Sequence, residues 1–370
     1  MSANTIGAMF KVTSFGESHG RCVGTIIEGC PAGLRISEDM VQKELERRRT
    51  DQSSFLTQRK EEDKVEIVSG IFNGFTTGSP ICMIVWNKDI DSSTYEKITF
   101  TPRPGHADFT AYTKYGGFND YRGGGRFSGR ITASFVMAGV VAKKMLALLS
   151  IEILAYTVEI AGVKAKPKTL KEIKDNVESN SVRCADLTAA QRMVEAINKA
   201  RDEGDSVGGV VEGVALNVPV GLGEPVFDTL EGELAKAIFA IPAVKAVEFG
   251  SGFKVVGMRG SENNDAFIVE GGKVITKSNN SGGILGGISN GMPIVCRIAF
   301  KPTPSILKSQ STIDLIRMKP VTLKIRGRHD SCIVPRAVPV VESMIAIVLA
   351  DHAIRTGLIP RVVKGVNLDR

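Results

Sequence analysis

The sequence predicts an α+β fold. Strand-like runs come in consecutive pairs, helical segments are grouped between them instead of alternating one for one, and a long segment, Ser128 to Leu149, is apolar on most faces. The first two features argue against βαβ units, and the third marks a buried helix.

The first helix is capped by Ser37, carries Glu38 and Asp39 in its first turn and Arg47-Arg48-Arg49 in its last, the charge order that complements a helix dipole. Three consecutive arginines exceed what a C-terminus needs, so at least one is expected to reach elsewhere. Strands follow at Lys64 to Phe72 and Pro80 to Trp86, rich in Ile and Val and separated by Asn73-Gly74 and Gly78. Residues 87 to 126 form a long polar, Gly-rich stretch; loops of that length inside a domain are usually functional or disordered, and the motifs it carries favour function. After the buried helix, Ile151 to Val163 reads as strand. Two helices with capping boxes come next, Thr169 with Glu172 and Thr188 with Gln191, the second ending near Gly204. Val207 to Val220 is strand, Asp228 with Glu231 opens a helix to about Ile241, and Ala266 to Thr276 is a hairpin turning at Gly271-Gly272. Pro293 to Phe300 and Val321 to Ile325 are short strands. Pro339 suits the first position of a last helix that stops near Gly357. No repeat or low-complexity linker divides the chain, so residues 1–370 are expected to form a single domain.

With 43% apolar and 24% charged residues, the composition is that of a soluble globular protein, and no apolar run reaches the length of a membrane span. No signal peptide is visible at Met1 to Phe10, and six scattered cysteines form no CxxC pair or zinc spacing. Reduced thiols in the cytoplasm, and no metal, are the expectation. The net charge of +7 invites a nucleic-acid reading, but basic residues are interleaved with acids, as in Lys60-Glu61-Glu62-Asp63-Lys64, and five tyrosines and one tryptophan offer little stacking surface. A local arginine cluster for a small, multiply charged ligand fits better.

Chemistry concentrates around three of the four histidines, in Gly16-Glu17-Ser18-His19-Gly20, Arg103-Pro104-Gly105-His106-Ala107-Asp108 and Gly327-Arg328-His329-Asp330. Imidazole changes charge near neutral pH, glycine lets a ligand approach the backbone, and arginine pairs with anions. His352, at a helix end, reads as a surface residue or dipole partner. Arg122-Gly123-Gly124-Gly125-Arg126-Phe127-Ser128-Gly129-Arg130 is the sharpest segment: a glycine-rich loop leading into a predicted helix start, where free N–H groups and Arg122, Arg126 and Arg130 would hold an anion. Gly282 to Gly291 is a second backbone-rich loop, and Lys301-Pro302-Thr303-Pro304-Ser305 offers an ammonium and two hydroxyls on a stiff backbone. P-loop, Rossmann and HExxH signatures are missing.

Taken in order with Thr5-Ile6-Gly7 and Arg336-Ala337-Val338-Pro339, these segments resemble the chorismate synthase family over nearly the whole chain. The resemblance implies a helical layer sandwiched between antiparallel sheets, a homotetramer, and a cytoplasmic lyase of the shikimate pathway. Its reaction would be 1,4-anti elimination of phosphate from 5-enolpyruvylshikimate 3-phosphate, giving chorismate and requiring reduced FMN without net redox change. It also implies roles. Arg48, Arg103, Arg126 and Arg130 match substrate-binding positions, as befits a ligand with one phosphate and two carboxylates. His19 would protonate the departing phosphate, His106 would protonate or hydrogen-bond the reduced flavin, and Asp330 would tune the flavin N5 centre. Arg126, Phe127, Ser128, Pro242, Ala243, Gly286, Lys301, Pro302, Thr303, Pro304, Ser305 and Arg328 match FMN-binding positions. NADPH acting directly or a separate flavin reductase would supply the electrons.

The chain departs from the family pattern in places. Ser54 stands where many relatives carry arginine, with Arg59 as a substitute. Pro242-Ala243 replaces a common Asn-Ala, leaving a backbone contact. Phe127 replaces a small polar residue, so its side chain is not expected to bond the flavin. A phosphate-loop kinase using Gly123–Ser128 would need a magnesium carboxylate, for which Asp120 is available, and would leave Lys301–Ser305 unexplained. An RNA-binding module with a single RGG-like segment is the non-enzymatic alternative.

Overall fold

A computed structural model describes residues 3–49, 63–88, 92–96, 98–325 and 329–363. Ser54, Arg59 and Arg328, each given a role above, lie outside the described residues.

Apolar residues at alternate positions build two five-stranded antiparallel sheets. Ile294–Phe300 buries every second side chain, and Ile81–Trp86 does the same over most of its length. The first sheet runs in the order Thr5–Ile6, Lys11–Gly16, Cys22–Glu28, Ile81–Trp86, Val65–Ser69. The second runs Val244–Phe249, Ile294–Phe300, Gly209–Leu216, Glu152–Ile160, Val163–Lys164.

The helices are α1 (Glu38–Arg49), α2 (Ser93–Glu96), α3 (Asp108–Lys114), α4 (Thr132–Ala147), α5 (Leu170–Asn176), α6 (Leu187–Asp202), α7 (Leu230–Phe239), α8 (Gly260–Asn263) and α9 (Val334–Arg355). Between the sheets α4 packs on the first and α9 on the second, and the two helices pack on each other with α1 alongside. Both are largely apolar and buried over most of their length because both sides are covered, and the main hydrophobic core runs through them. By length and composition α9 could cross a membrane, but it is buried inside the fold. The predicted α+β class and the helical layer between antiparallel sheets are what the chain adopts.

Several boundaries move for identifiable reasons. The capping box at Thr169 forms, whereas α6 is capped by Asp186, which accepts from the N–H groups of Thr188 and Ala189, and α7 is capped by Thr229 instead of Asp228. The buried helix starts at Thr132 after a separate 3₁₀ turn at Gly129–Ile131, not at Ser128. Pro339 lies inside α9, and Pro335 occupies the first turn. The carbonyl that a prolyl nitrogen at 339 cannot bond belongs to Pro335, and the Arg183 guanidinium takes it at 2.6 Å. Residues 87 to 126 are not a bare loop but carry α2, α3 and a 3₁₀ turn at Arg122–Phe127. Strands Lys11–Gly16, Cys22–Glu28 and Gln310–Asp314 lacked clear punctuation in the sequence and emerge only from their pairing. All six cysteines are free.

Candidate active site

The three glycines of Arg122–Phe127 shape the site. Gly123, Gly124 and Gly125 have φ of 59°, 82° and 52°, a run of three positive φ values that strongly favours glycine. It lets the chain coil against two histidines from different segments. A Cβ added at Gly123 would stand 2.2 Å from His19 Cδ2, and one at Gly124 would stand 3.3 Å from His106 Cε1 and Nε2. Neighbouring glycines therefore each receive one imidazole.

His19 is 3% exposed, follows the Lys11–Gly16 strand, and its Nδ1 is 3.0 Å from Ser92 Oγ. Tyr95 meets it edge-on, ring centroids 5.3 Å apart. The same tyrosine ring lies 5.6 Å from the Arg103 guanidinium carbon.

His106 is held by Asp108 at the start of α3, whose Oδ1 is 2.6 Å from Nδ1. A contact that short to a carboxylate places the proton on Nδ1, so Nε2 is the nitrogen left to act. Asp108 also takes Arg103 Nε at 2.7 Å and Nη2 at 2.8 Å in a fork. Burial alone would raise the Asp108 pKa, but the bonds and charges of Arg103 and His106 hold it well below the usual carboxylate range. Arg103 Nη1 reaches Ser305 Oγ at 3.2 Å, and Lys301 Nζ donates to the Gly105 carbonyl. The histidine loop is thereby latched to the end of the second sheet.

A cleft of about 610 Å³ opens at this junction, within the ordinary range for ligand pockets. Its cationic wall includes Arg48, Arg49, Arg103, Arg126, Arg130, Lys301 and Arg336, and its apolar wall includes Ile241, Pro242, Ala243, Phe300, Ile333 and Val340. Arg48 leaves the last turn of α1 and meets Asp63, with Nη2 to Oδ2 at 2.7 Å, and Arg130 donates to the other oxygen, Oδ1. Asp330 accepts from Arg336 Nη1 at 2.9 Å, while its carbonyl accepts from Thr303 Oγ1 at 2.8 Å. The Nε atoms of Arg48 and Arg336 are buried with no hydrogen-bond acceptor among the described residues. A buried guanidinium N–H without an acceptor is costly, so the wall is built to receive an anion.

Of the residues singled out by sequence, Arg48, Arg103, His106, Arg126, Phe127, Ser128, Arg130, Pro242, Ala243, Lys301, Thr303, Pro304, Ser305 and Asp330 all line this cleft. His19 stands just behind its Ser18 and Gly123 lining. Pro302 and Gly286 are not in the lining; Gly286 turns the hairpin between Ile284–Leu285 and Ile288–Ser289. The three arginines of the glycine segment do not converge on one anion. Arg122 forks onto Asp120 at 2.8 and 2.9 Å, which also removes the carboxylate that a magnesium-dependent kinase would need. Arg126 gives Nη1 to the Gly16 carbonyl at 2.9 Å and Nη2 to the Ser14 carbonyl at 3.1 Å and Asn4 Oδ1 at 3.0 Å, tying the turn to the first sheet. His352 is fully buried, not at the surface, and burial lowers its pKa, so it is no cationic dipole partner. Sequence reading passed over Asp63, Tyr95 and the clamp made by Asp108. Only the Asp108 clamp had a local signal, an arginine and a histidine within five residues of a carboxylate.

Comparison with known proteins shows the family and the fold. The family profile described as chorismate synthase matches residues 10–354. The chain is 60% identical to a protein of Dehalococcoides mccartyi named chorismate synthase, over 98% of this chain and 100% of that one. It is 57% identical to a protein of that name from Korarchaeum cryptofilum, over 96% of this chain and 99% of that one. A crystal structure of chorismate synthase superposes with a TM-score of 0.75 at 32% identity, covering 95% of this chain and 93% of that one.

Proposed function

We infer the roles of the cleft residues from one premise: the chain belongs to the chorismate synthase family. It is a carbon–oxygen lyase that converts 5-enolpyruvylshikimate 3-phosphate to chorismate by 1,4-anti elimination of phosphate. The observation that carries the assignment of roles is the pair of imidazoles on adjacent glycines, beside a wall of arginines with unmet N–H groups.

In this reading Arg48, Arg103 and Arg130 face the phosphate and the two carboxylates of the substrate. Burying that much charge without partners would be prohibitive. Arg126 contributes mainly by holding the glycine turn in place. His19 gives a proton to the departing phosphate oxygen past Gly123 and Ser18, which lowers the cost of charge on the leaving group. His106 presents Nε2 to the cleft because Asp108 occupies Nδ1. Asp330 is oriented by Arg336.

The family uses reduced FMN, and the residues present fit that group. The apolar wall at Ile241–Ala243 and Phe300 offers a face to a flat ring, and Ser128, Lys301, Thr303 and Ser305 offer donors around it. We assign FMN binding to these residues together with Phe127, Pro242, Ala243 and Pro304. Bound there, reduced FMN would lend electron density to the substrate and recover it, so that elimination proceeds with no net redox change.

We also propose that residues 1–370 act as one unit, in the cytoplasm, as a homotetramer. Phe227 and Phe253, 94% and 78% exposed, support burial against further copies. NADPH or a separate reductase would keep the flavin reduced.

An anaerobic assay tests the activity. With substrate and photoreduced FMN the protein should release phosphate and form chorismate; with oxidised FMN alone it should release none. Equal phosphate release with either flavin state would overturn the reading.

A further inference from the structure

Asp63 has none of the roles assigned so far, yet among the described residues it is the more buried of the two carboxylates that line the cleft, Asp330 being the other. Its side chain is 2% exposed. It stands at φ 46°, just ahead of the Val65–Ser69 strand, and the N–H of Val65 donates to Gln42 of α1 at 3.1 Å. The carboxylate is thus pinned between the first sheet and the helix that carries Arg48. Each of its oxygens takes one guanidinium: Oδ2 accepts from Arg48, and Oδ1 from Arg130. The far sides of the two arginines are fixed as well, Arg48 Nη1 on Thr132 Oγ1 at 3.4 Å and Arg130 Nε on Asn87 Oδ1 at 3.0 Å. Two guanidinium groups this buried repel each other strongly unless an anion lies between them.

We propose that Asp63 is a positioning residue for the substrate's anionic groups: it sets the separation and aim of Arg48 and Arg130, one carboxylate oxygen to each, before any substrate arrives. This rests on the lyase reading above. The carboxylate neutralises one of the two charges and leaves a net positive pair, already desolvated and oriented, so the substrate meets a rigid fork instead of two mobile side chains. Because the pair binds anion in the ground state as well as in the transition state, the loss should appear in KM more than in kcat.

The test is steady-state kinetics with reduced FMN on the wild type and on Asp63→Asn, with melting temperatures measured alongside. Asp63→Asn should raise the KM for substrate about tenfold to a hundredfold, the scale of a displacement near 1 Å, with kcat within roughly threefold. Inorganic phosphate should inhibit it correspondingly less well. A lower melting temperature with unchanged KM would make Asp63 merely structural, and a lower KM would make it a competitor of the substrate; either result overturns the proposal. Should Asp63→Asn fail to fold, Asp63→Glu decides, since it keeps the charge but shifts the oxygens by one methylene: a raised KM supports the proposal and an unchanged one overturns it. A wild type that releases no phosphate would instead sink the lyase reading.

Discussion

His106 and Asp108 show how one carboxylate fixes both the proton position and the neighbouring cation of a site. Asp108→Asn keeps the shape but offers an amide where Nδ1–H and the Arg103 fork need an acceptor. Turnover should fall about 10²-fold, and His106→Ala should fall by about 10²–10⁴, the range for a lost general acid. Combining the two should cost less than the product of the single effects, because part of the Asp108 effect runs through the same imidazole and only the Arg103 fork is independent of it. Multiplicative effects in stopped-flow single turnovers would show that Asp108 acts elsewhere. At this scale the sequence was informative wherever glycine, histidine and arginine sat together, since few structural needs place them side by side. It was silent on Asp63. In Lys60-Glu61-Glu62-Asp63-Lys64 interleaved charges carry no local sign of burial, and only the long-range approach of α1 and the Arg130 turn buries that carboxylate.

The helical layer depends on a close crossing that residue patterns cannot reveal. Gly139 of α4 lies against Ser343 of α9, and a Cβ added at Gly139 would be 2.3 Å from the Ser343 Cβ. Glycine in a helix normally costs stability relative to alanine, so its presence here reports contact, not flexibility. Gly139→Ala should therefore destabilise despite the better helix propensity, by about 1–3 kcal/mol as overpacked cores do. Urea unfolding with an unchanged m-value would read it, and a gain in stability would mean that the helices can part at no cost. Apolar patterning correctly marked α4 as buried, because a helix with apolar side chains on most faces is stable in water only when those faces are covered. It misplaced the start of α9 because Pro339 follows the usual rule for a first turn, and the Arg183 side chain that meets the freed Pro335 carbonyl is 152 residues from it in sequence.

Across the whole molecule the layers are joined by a buried charge cluster centred on Glu342 of α9. Its carboxylate takes Arg47 of α1 at 2.8 Å and Lys143 of α4 at 2.6 Å, while Arg47 also pairs with Glu178 and Glu44. The N–H of Ala155, in the second sheet, donates to it at 3.3 Å. The α+β class was legible in the sequence because local strand and helix patterns suffice for it, but no local pattern shows that α1, α4, α9 and the second sheet share one carboxylate. Burial raises the Glu342 pKa and the charges of Lys143 and Arg47 more than reverse this, leaving it at about 2 against an ordinary 4.5. Between those values the unfolded chain binds the proton and the folded chain does not, so stability rises with pH there. The contribution should be complete above about pH 5 and lost as pH falls toward 2, on the order of 3 kcal/mol. Glu342→Gln should destabilise at pH 7 by about 3 kcal/mol, because it removes the buried anion shared by Arg47 and Lys143 and leaves them only the more exposed Glu44 and Glu178. It should also flatten the acid dependence between about pH 5 and 2, which urea titrations at a series of pH values measure directly. If the substituted protein keeps the same acid slope as the original, the proton-linked stability resides in other carboxylates and not in this junction of the layers.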